Sequence, residues 1–380
     1  MANKGQSFAF HRPDLRFPSS CLLAGGVANL NIYNTVKAVR TDRTCRPPAP
    51  WSHVDRATFR PPSRVVIVAG KGGVGKTTVS AALAYLGARS GIDTLIVEVE
   101  GKSGLPALFG SDGHLTYDEQ VLVPAGEIGR GSGPVRARTL TPDNALVEYL
   151  ETHGLSRVSK RLIATGTLDV VATAVPGIKD ILVLGKVKQL EAASAARVDG
   201  APGLIVVDAP AAGHAVTFLA SAYGLLDAAA VGPIRAQAAE VVGLLADPDR
   251  CQVMLVALPE ETPVNEAVDT AFHLEDRAGV QLAPIVVNGI WPNLGLPPDP
   301  REALGATAGA LTPEQLESLV RAAEFRRSRQ ELQEAQVRRL AEMLPLPQLR
   351  LPYLFTTELG LADLETLARS LGSQLALVSR

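Results

Sequence analysis

Cysteine, methionine and tryptophan are scarce in this chain: three, three and two among 380 residues, with aromatic residues at 4%. Cys21, Cys45 and Cys251 stand alone and make no CxxC pair. That argues against a disulfide framework and a structural zinc site, and it fits a reducing cytosol. The six histidines show no HxxxH spacing, which leaves no case for a transition-metal centre. An excess of one charge is also missing: Lys plus Arg total 37 against 39 Asp plus Glu, a formal charge of -2. Outside a local patch, nothing favours nucleic acid as a dedicated partner. No run approaches the roughly 18 consecutive apolar residues of a membrane span, so stable membrane insertion is not expected. What the chain does have is a 46% apolar share with 20% charged residues over 380 positions. That is enough for a large α/β domain carrying an elaborate insertion.

Residues 1–63 differ from the remainder. They are rich in Arg, Pro and Ser, carry the pairs Pro47-Pro48 and Pro61-Pro62, and show no sustained periodicity. They read as an N-terminal extension: either a disordered stretch (or a start placed upstream of the folded domain), or a targeting or partner-binding arm. Asp14, Asp42 and Asp55 argue against a transit peptide, and no secretory h-region is present. From Arg64 to the C-terminus, β-branched runs predict buried parallel strands over 65–69, 94–99, 204–207, 252–256 and 284–287, with a final strand over 349–354. Helical stretches alternate with them, beginning with 76–89 and its stop at Gly91. The fold class is therefore α/β, a doubly wound, mainly parallel sheet with ligand-binding loops along one edge. Two segments interrupt the alternation. Residues 111–200 are expected to be a largely helical insertion, with a helix start at Thr141-Pro142-Asp143 and a stop at Gly154. A long charged helix is expected over 313–344, opened by the capping-box spacing Thr312-Pro313-Glu314-Gln315 and supported by Glu317/Arg321 and Glu334/Arg338.

Between the first strand and helix lies Gly70-Lys71-Gly72-Gly73-Val74-Gly75-Lys76-Thr77, which fits GxxxxGK[ST]. A triphosphate crowds negative charge and needs donors that approach without side-chain obstruction. Glycines let successive backbone N–H groups and the positive helix end face it. The predicted binding set is Gly70, Gly72, Gly73, Val74, Gly75, Lys76, Thr77 and Thr78, with Lys76 on the β/γ oxygens and the Thr77 hydroxyl on Mg²⁺. The expected cofactors are ATP and Mg²⁺. The run 204–208 is a hydrophobic strand ending in Asp208, an acid suited to the Mg²⁺ shell through water. At the end of the second strand, Glu98 and Glu100 are both candidates to orient the attacking water or hold metal-bound water, or they are solvated strand-end charges.

Lys71 is a second lysine that the generic pattern does not require. Here the sequence resembles the deviant Walker A class, KGGxGK[ST], found in dimeric ATPases of the partition, septum-site, iron–sulfur-carrier and arsenite-pump families. The resemblance implies that Lys71 crosses a sandwich dimer to the opposing nucleotide. Matched through Leu105 and Phe109, Glu100 falls where the arsenite-pump and tail-anchored-protein-targeting ATPases carry an aspartate, while Gly101 replaces the usual proline. Glu100 is thus the preferred acid, with Glu98 the alternative. Residues 208–214, Asp-Ala-Pro-Ala-Ala-Gly-His, are similar to that family's DTAPTGH switch, with Ala212 for threonine. By resemblance the Gly213 amide senses the γ-phosphate. Pro176-Gly177-Ile178 with Asp180 resembles an element of the family's helical insertion. Asn288 falls where adenine is read, and Pro352 falls in the adenine-side loop. The glutamates of 98–101 and Leu258-Pro259-Glu260-Glu261 are similar to the single-domain actinobacterial branch, whose members commonly occur as paired paralogues.

The family resemblance implies an arsenite-pump-like ATPase working as a homodimer, or as a heterodimer with a paralogous ATPase. Lys71, Lys76, Glu100 and Asp208 are its expected catalytic residues. Arsenite transport is not expected, because Cys251 alone makes no thiolate cluster. The apolar stretch 162–190 reads either as a cargo groove, for a protein or a tail-anchored membrane protein, or as ordinary core. The alternative function is a partition or septum-site switch on DNA or membrane. Against it stand the 132 positions (208 − 76) between Lys76 and Asp208 and the few cations on the amphipathic stretch 361–377. The expected location is cytoplasmic, with peripheral attachment at the inner face of the membrane as a variant.

Overall fold

The chain divides into two units, Met1–Val54 and Asp55–Arg380. The structure, a computed structural model, describes residues 59–99, 104–152, 154, 177–228, 231–297, 299, 301–302 and 311–378 of the second. The N-terminal extension up to residue 58 lies outside the described residues. Among those described, one sheet is built from β1 (Val65–Gly70), β2 (Thr94–Val99), β3 (Gln120–Val123), β4 (Val135–Leu140), β5 (Leu204–Ala211), β6 (Cys251–Ala257), β7 (Ile285–Ile290) and β8 (Gln348–Pro352). Their spatial order is β3-β4-β2-β5-β1-β6-β7-β8. All neighbours are parallel except β3, which runs antiparallel to β4. The helices are α1 (Lys76–Arg89), α2 (Leu105–Leu108), α3 (Pro142–Thr152), α4 (Ile178–Ala195), α5 (Ala212–Ala228), α6 (Pro233–Leu245), α7 (Glu261–Ala278), α8 (Pro313–Met343) and α9 (Leu361–Val378).

The central strands are buried on both faces, which is why they read as continuous Val/Ile runs with no polar alternation. Alternate residues of each strand feed two cores. Val65, Ile67, Val97, Val207 and Leu255 face α4 to α8, whereas Val66, Val68, Ile96, Val206 and Met254 face α1 and α9. The amphipathic stripe of α9 belongs to this second core: Leu364, Leu367, Leu371 and Leu375 are buried against α1. Phe59 rests on the same face, beside Gly87. At α8, Thr312 caps the Gln315 N–H and the Gln315 side chain returns to the Thr312 N–H, so both halves of the capping box form.

The expectation of a largely helical 111–200 is corrected at its start, where β3 and β4 extend the sheet. These strands escape a periodicity reading because β3 is a short, partly exposed edge and Arg136 and Arg138 interrupt β4. Both arginines are accommodated by pairing. Arg136 bonds Asp93 and Glu119, and the Arg138 guanidinium lies 4.5 Å above the Tyr117 ring. Helical structure begins only at α3. Of the apolar stretch 162–190, residues 162–176 lie outside the described residues, including Leu162, Ile163, Val170 and Val171. Within α4, Ile181 and Leu184 join the main core and Leu182 packs on Ala145 and Leu146. That half of the stretch is ordinary packing.

Glu191, near the end of α4, is 1% exposed and ties the helix to the sheet. Its carboxylate accepts from Arg64 Nε at 2.7 Å, just before β1, and from Arg250 Nη2 at 2.7 Å, just before β6. Burial alone raises its pKa. The hydrogen bonds from Arg250 and Arg64 outweigh that and hold it below the ordinary 4.5. A depressed carboxylate stabilises the fold above its unfolded pKa, and the contribution is lost as pH falls through the folded value. We expect Glu191→Gln to destabilise the protein at pH 7 by about 2 kcal/mol in urea unfolding, since both arginines can partly rehydrate. The gap to wild type should close as pH drops below about 4; a gap that holds constant down to pH 3 contradicts the assignment.

Candidate nucleotide site

The loop 71–75 joins β1 to α1, and its glycines divide by what surrounds them. A Cβ on Gly70 would lie 2.3 Å from the Val256 carbonyl oxygen of neighbouring β6. Gly75 has φ 92° at the N-cap of α1, and a Cβ there would lie 2.4 Å from the Asn288 amide. Both positions favour glycine, Gly70 because the β6 backbone lies behind it and Gly75 because of its left-handed φ and the Asn288 side chain. A Cβ on Gly72 or Gly73, by contrast, would meet nothing within 4 Å. The back of the loop is fixed and its front is open. α1 also begins without a side-chain cap or a first-turn acid, so its leading N–H groups and positive end face that opening.

Lys76, 8% exposed, donates from Nζ to the Lys71 carbonyl at 3.0 Å. Thr77 Oγ1 donates to Asp208 Oδ2 at 2.7 Å. Two residues separated by 131 positions thus meet beneath the loop, because β5 lies beside β1 with Asp208 opposite Val68. Ser80, fully buried one turn further along α1, places Oγ 3.5 Å from Asp208 Oδ1. Sequence reasoning passed over Ser80, although its i+3 spacing from Thr77 puts it on the same helix face. Glu98, 2% exposed, stands on β2 in register with Asp208, so both acids point toward the α1 face. Glu100 and Gly101 lie outside the described residues, as does Pro176.

The switch segment differs in form from a loop. β5 continues through Asp208 to Ala211, which pairs with Gly70, and α5 starts at Ala212. Gly213 therefore sits exposed in the first turn of α5 beside the phosphate-loop edge, its N–H among those a helix start leaves unclaimed. Asn288, on β7, donates from Nδ2 to the Val74 carbonyl at 2.9 Å, reaching across from two strands away. Pro352 closes β8 opposite Ile290, and the Tyr353 N–H donates to the Ile290 carbonyl at 2.7 Å. Beyond them Trp291, Tyr353 and Phe355 form a ring cluster, with Tyr353 and Phe355 centroids 4.8 Å apart.

Two further residues were not foreseen. Gln333 of α8, 4% exposed, accepts from the Trp291 N–H at 2.9 Å and donates to the Gly289 carbonyl at 3.1 Å, bracketing the strand end that carries Asn288. Glu266 of α7 receives the Lys71 ammonium at 2.5 Å. No local pattern announces either one, since the partners lie 44 and 195 positions away.

Comparison with known proteins agrees with this geometry. The chain is 34% identical over 232 residues to the ATPase BagA of Mycobacterium tuberculosis, covering 59% of this chain and 64% of that protein. It is 28% identical over 232 residues to the arsenical pump-driving ATPases of Escherichia coli and of Acidiphilium multivorum, covering 57% of this chain and 33% of each. The chain thus spans just under two thirds of the mycobacterial relative and one third of the arsenical ones. The CbiA family, described as the CobQ/CobB/MinD/ParA nucleotide binding domain, matches residues 65–377, from the first residue of β1 almost to the end of α9. A match that takes in the glycine loop, the Asp208 strand and both cores places the chain: it belongs to the CobQ/CobB/MinD/ParA nucleotide-binding family.

Proposed function

We propose that the chain is an ATPase of the arsenite-pump-like type, hydrolysing Mg-ATP as a dimeric switch that couples closure of two subunits to a protein or membrane-protein cargo. The observation that carries this reading is the 2.7 Å hydrogen bond joining Thr77 to Asp208 beneath a glycine loop whose front is open. Hard oxygen donors on Thr77 and Asp208 suit Mg²⁺, which when bound neutralises charge on the β- and γ-phosphates. In this reading the 72–78 amides and Lys76 grip the phosphates, and the Gly213 N–H reports the γ-phosphate. Asn288, with one N–H engaged by Val74, offers its carbonyl oxygen to the base edge, and Pro352 borders the base. Glu98 is buried beside Asp208 and supports the metal side. Glu100 orients the water, and Lys71 reaches the nucleotide of the second subunit.

Metalloid pumping, which the arsenical relatives' names assert of them, is not part of this proposal. Cys251 is 1% exposed and burial pushes its thiol up to about 12, so it supplies no thiolate at neutral pH. The partition or septum-site alternative is weakened at the membrane, since the α9 stripe is packed on α1. Among the described residues no helix is long and apolar enough to cross a membrane. A cytoplasmic location, with peripheral attachment at the inner face of the membrane when cargo requires it, belongs to the same reading. The helical region offers a cavity of about 390 Å³ between α3, α4 and α6, lined by Tyr149, Leu182 and the ion pairs Lys186–Glu148 and Lys188–Glu240.

Lys76→Ala should lower kcat for ATP by at least about a hundredfold, measured by phosphate release; turnover within threefold of wild type would remove the site. Glu100→Gln should also reduce kcat about a hundredfold while retaining ATP affinity, with a smaller effect for Glu98→Gln. The reverse order would transfer the water-orienting role to Glu98. Lys71→Ala should weaken ATP-dependent dimerisation in sedimentation velocity while monomer affinity for ATP stays within about threefold; loss of nucleotide binding equal to that of Lys76→Ala contradicts the cross-dimer role. The Glu100→Gln trap with ATP should capture a sister ATPase or anchored membrane proteins, whereas recovery of DNA favours the partition reading.

A further inference from the structure

We infer that Gln333 is a positioning residue for base recognition: it fixes the Asn288 amide in the orientation that accepts from an exocyclic amine, and so sets a preference for adenine over guanine nucleotides. The inference rests on the base-reading role proposed above for Asn288. That residue does not sit in a regular stretch of β7. β6 pairs with β7 at Val286 and Val287 and ends at Ala257. On the other side Val287 is opposite Arg350 and Ile290 is opposite Pro352, so Asn288 and Gly289 together face the single residue Leu351. This is a bulge, and Gly289 has a left-handed φ of 75° within it. A bulge releases backbone groups from the ladder, and the released groups need other partners.

α8 supplies them. The buried Gln333 side chain accepts from the Trp291 N–H at 2.9 Å and donates to the Gly289 carbonyl at 3.1 Å. Earlier on the same helix, Arg326 and Gln330 donate to the Pro292 carbonyl at 2.8 and 2.9 Å. Those two bonds are exposed and water can replace them, whereas Gln333 is enclosed. The helix itself is anchored: Val337 and Leu340 lie in the main core, Arg329 pairs with Glu260, and Arg339 donates to Asn265 at 2.5 Å. The consequence falls on Asn288. Its Nδ2 donates to the Val74 carbonyl at 2.9 Å, which directs Oδ1 away from that carbonyl. An oxygen so directed accepts from the amine of adenine and repels the carbonyl oxygen of guanine. Once the strand end drifts, the Val74 bond lengthens and the amide is free to flip, offering its NH₂ to guanine instead.

The test measures binding to the full chain, stripped of nucleotide, by competition with a fluorescent ATP analogue in the presence of Mg²⁺. Gln333→Met keeps the length and helix propensity of the side chain and removes both bonds. It should cut the ATP-over-GTP affinity ratio by about three- to tenfold. Affinity for inorganic tripolyphosphate should stay unchanged, because the phosphate grip is built from other residues. Amide hydrogen exchange at Trp291 should quicken in the same variant. Gln333→Asn, with the same amide on a shorter arm, should fall between Met and wild type, and it carries the test if Gln333→Met fails to fold. In an Asn288→Ala background the effect of either variant should vanish. A wild-type ratio in folded Gln333 variants, while Asn288→Ala collapses the ratio, overturns the role of Gln333 alone. An equal loss of tripolyphosphate affinity also overturns it, as does a change in the ratio that persists without Asn288. If Asn288→Ala leaves the ratio unchanged, the base-reading role fails first and the inference with it.

Discussion

The hydrogen bond between Thr77 and Asp208 is the constraint on which the rest of the site depends. It exists because β5 is inserted beside β1, with Val68 opposite Asp208 and Gly70 opposite Ala211. A shift of that register by one residue would turn Asp208, now 1% exposed, toward the opposite core and leave its carboxylate beside Ile67 and Val97 of the flanking strands. The sheet is thereby locked by chemistry as well as by packing. Correct register satisfies the acid through α1, and incorrect register strands it. Glu98, in register with Asp208 on the other side of β5, extends the same logic to β2.

Two lysines five positions apart in one loop repel each other unless each has an acceptor. The structure gives them acceptors of different kinds. Lys76 turns inward to the Lys71 carbonyl, within the loop itself, whereas Lys71 turns outward to α7. α7 is joined to α8 by the Glu260–Arg329 pair, and α8 reaches through Gln333 to the backbone around Gly289 and Trp291. The Lys71 side of the loop and the Asn288 side are consequently braced by one long helix. A single element holds both flanks of the candidate site, and its own capping box fixes where it begins.

Much of this fold was legible in the chain because its central strands are buried on both faces and announce themselves as unbroken β-branched runs. The glycine loop was legible for a different reason: Gly70 and Gly75 occupy places where any Cβ collides with backbone or with Asn288, so the spacing is imposed sterically. What escaped was of two sorts. β3 and β4 lie toward the edge, and the arginines of β4 are balanced by Asp93, Glu119 and the Tyr117 ring, partners that no local window contains. The contacts of Glu266, Gln333 and Glu191 are likewise long-range pairings of ordinary surface-type residues, with nothing in their neighbours to mark them. The placement of Asn288 was carried by resemblance alone; its bond to the Val74 carbonyl is a tertiary fact.

The two edges of the sheet solve opposite problems. At the edge where the strands begin, Glu191 is enclosed by Arg64 and Arg250, and a buried charge with strong donors from two strands tolerates little movement. At the edge where the strands end, the Lys71–Glu266 pair is half exposed and Gly72, Gly73 and Gly213 have open space around them. Exposed ion pairs are weak and glycines are permissive, so this edge can rearrange at small cost while the other cannot. α4 is held near its C-terminal end by the Glu191 cluster and along its length by Ile181, Leu184 and Val187 in the main core, while its first residue follows Gly177, a left-handed turn with φ 80°.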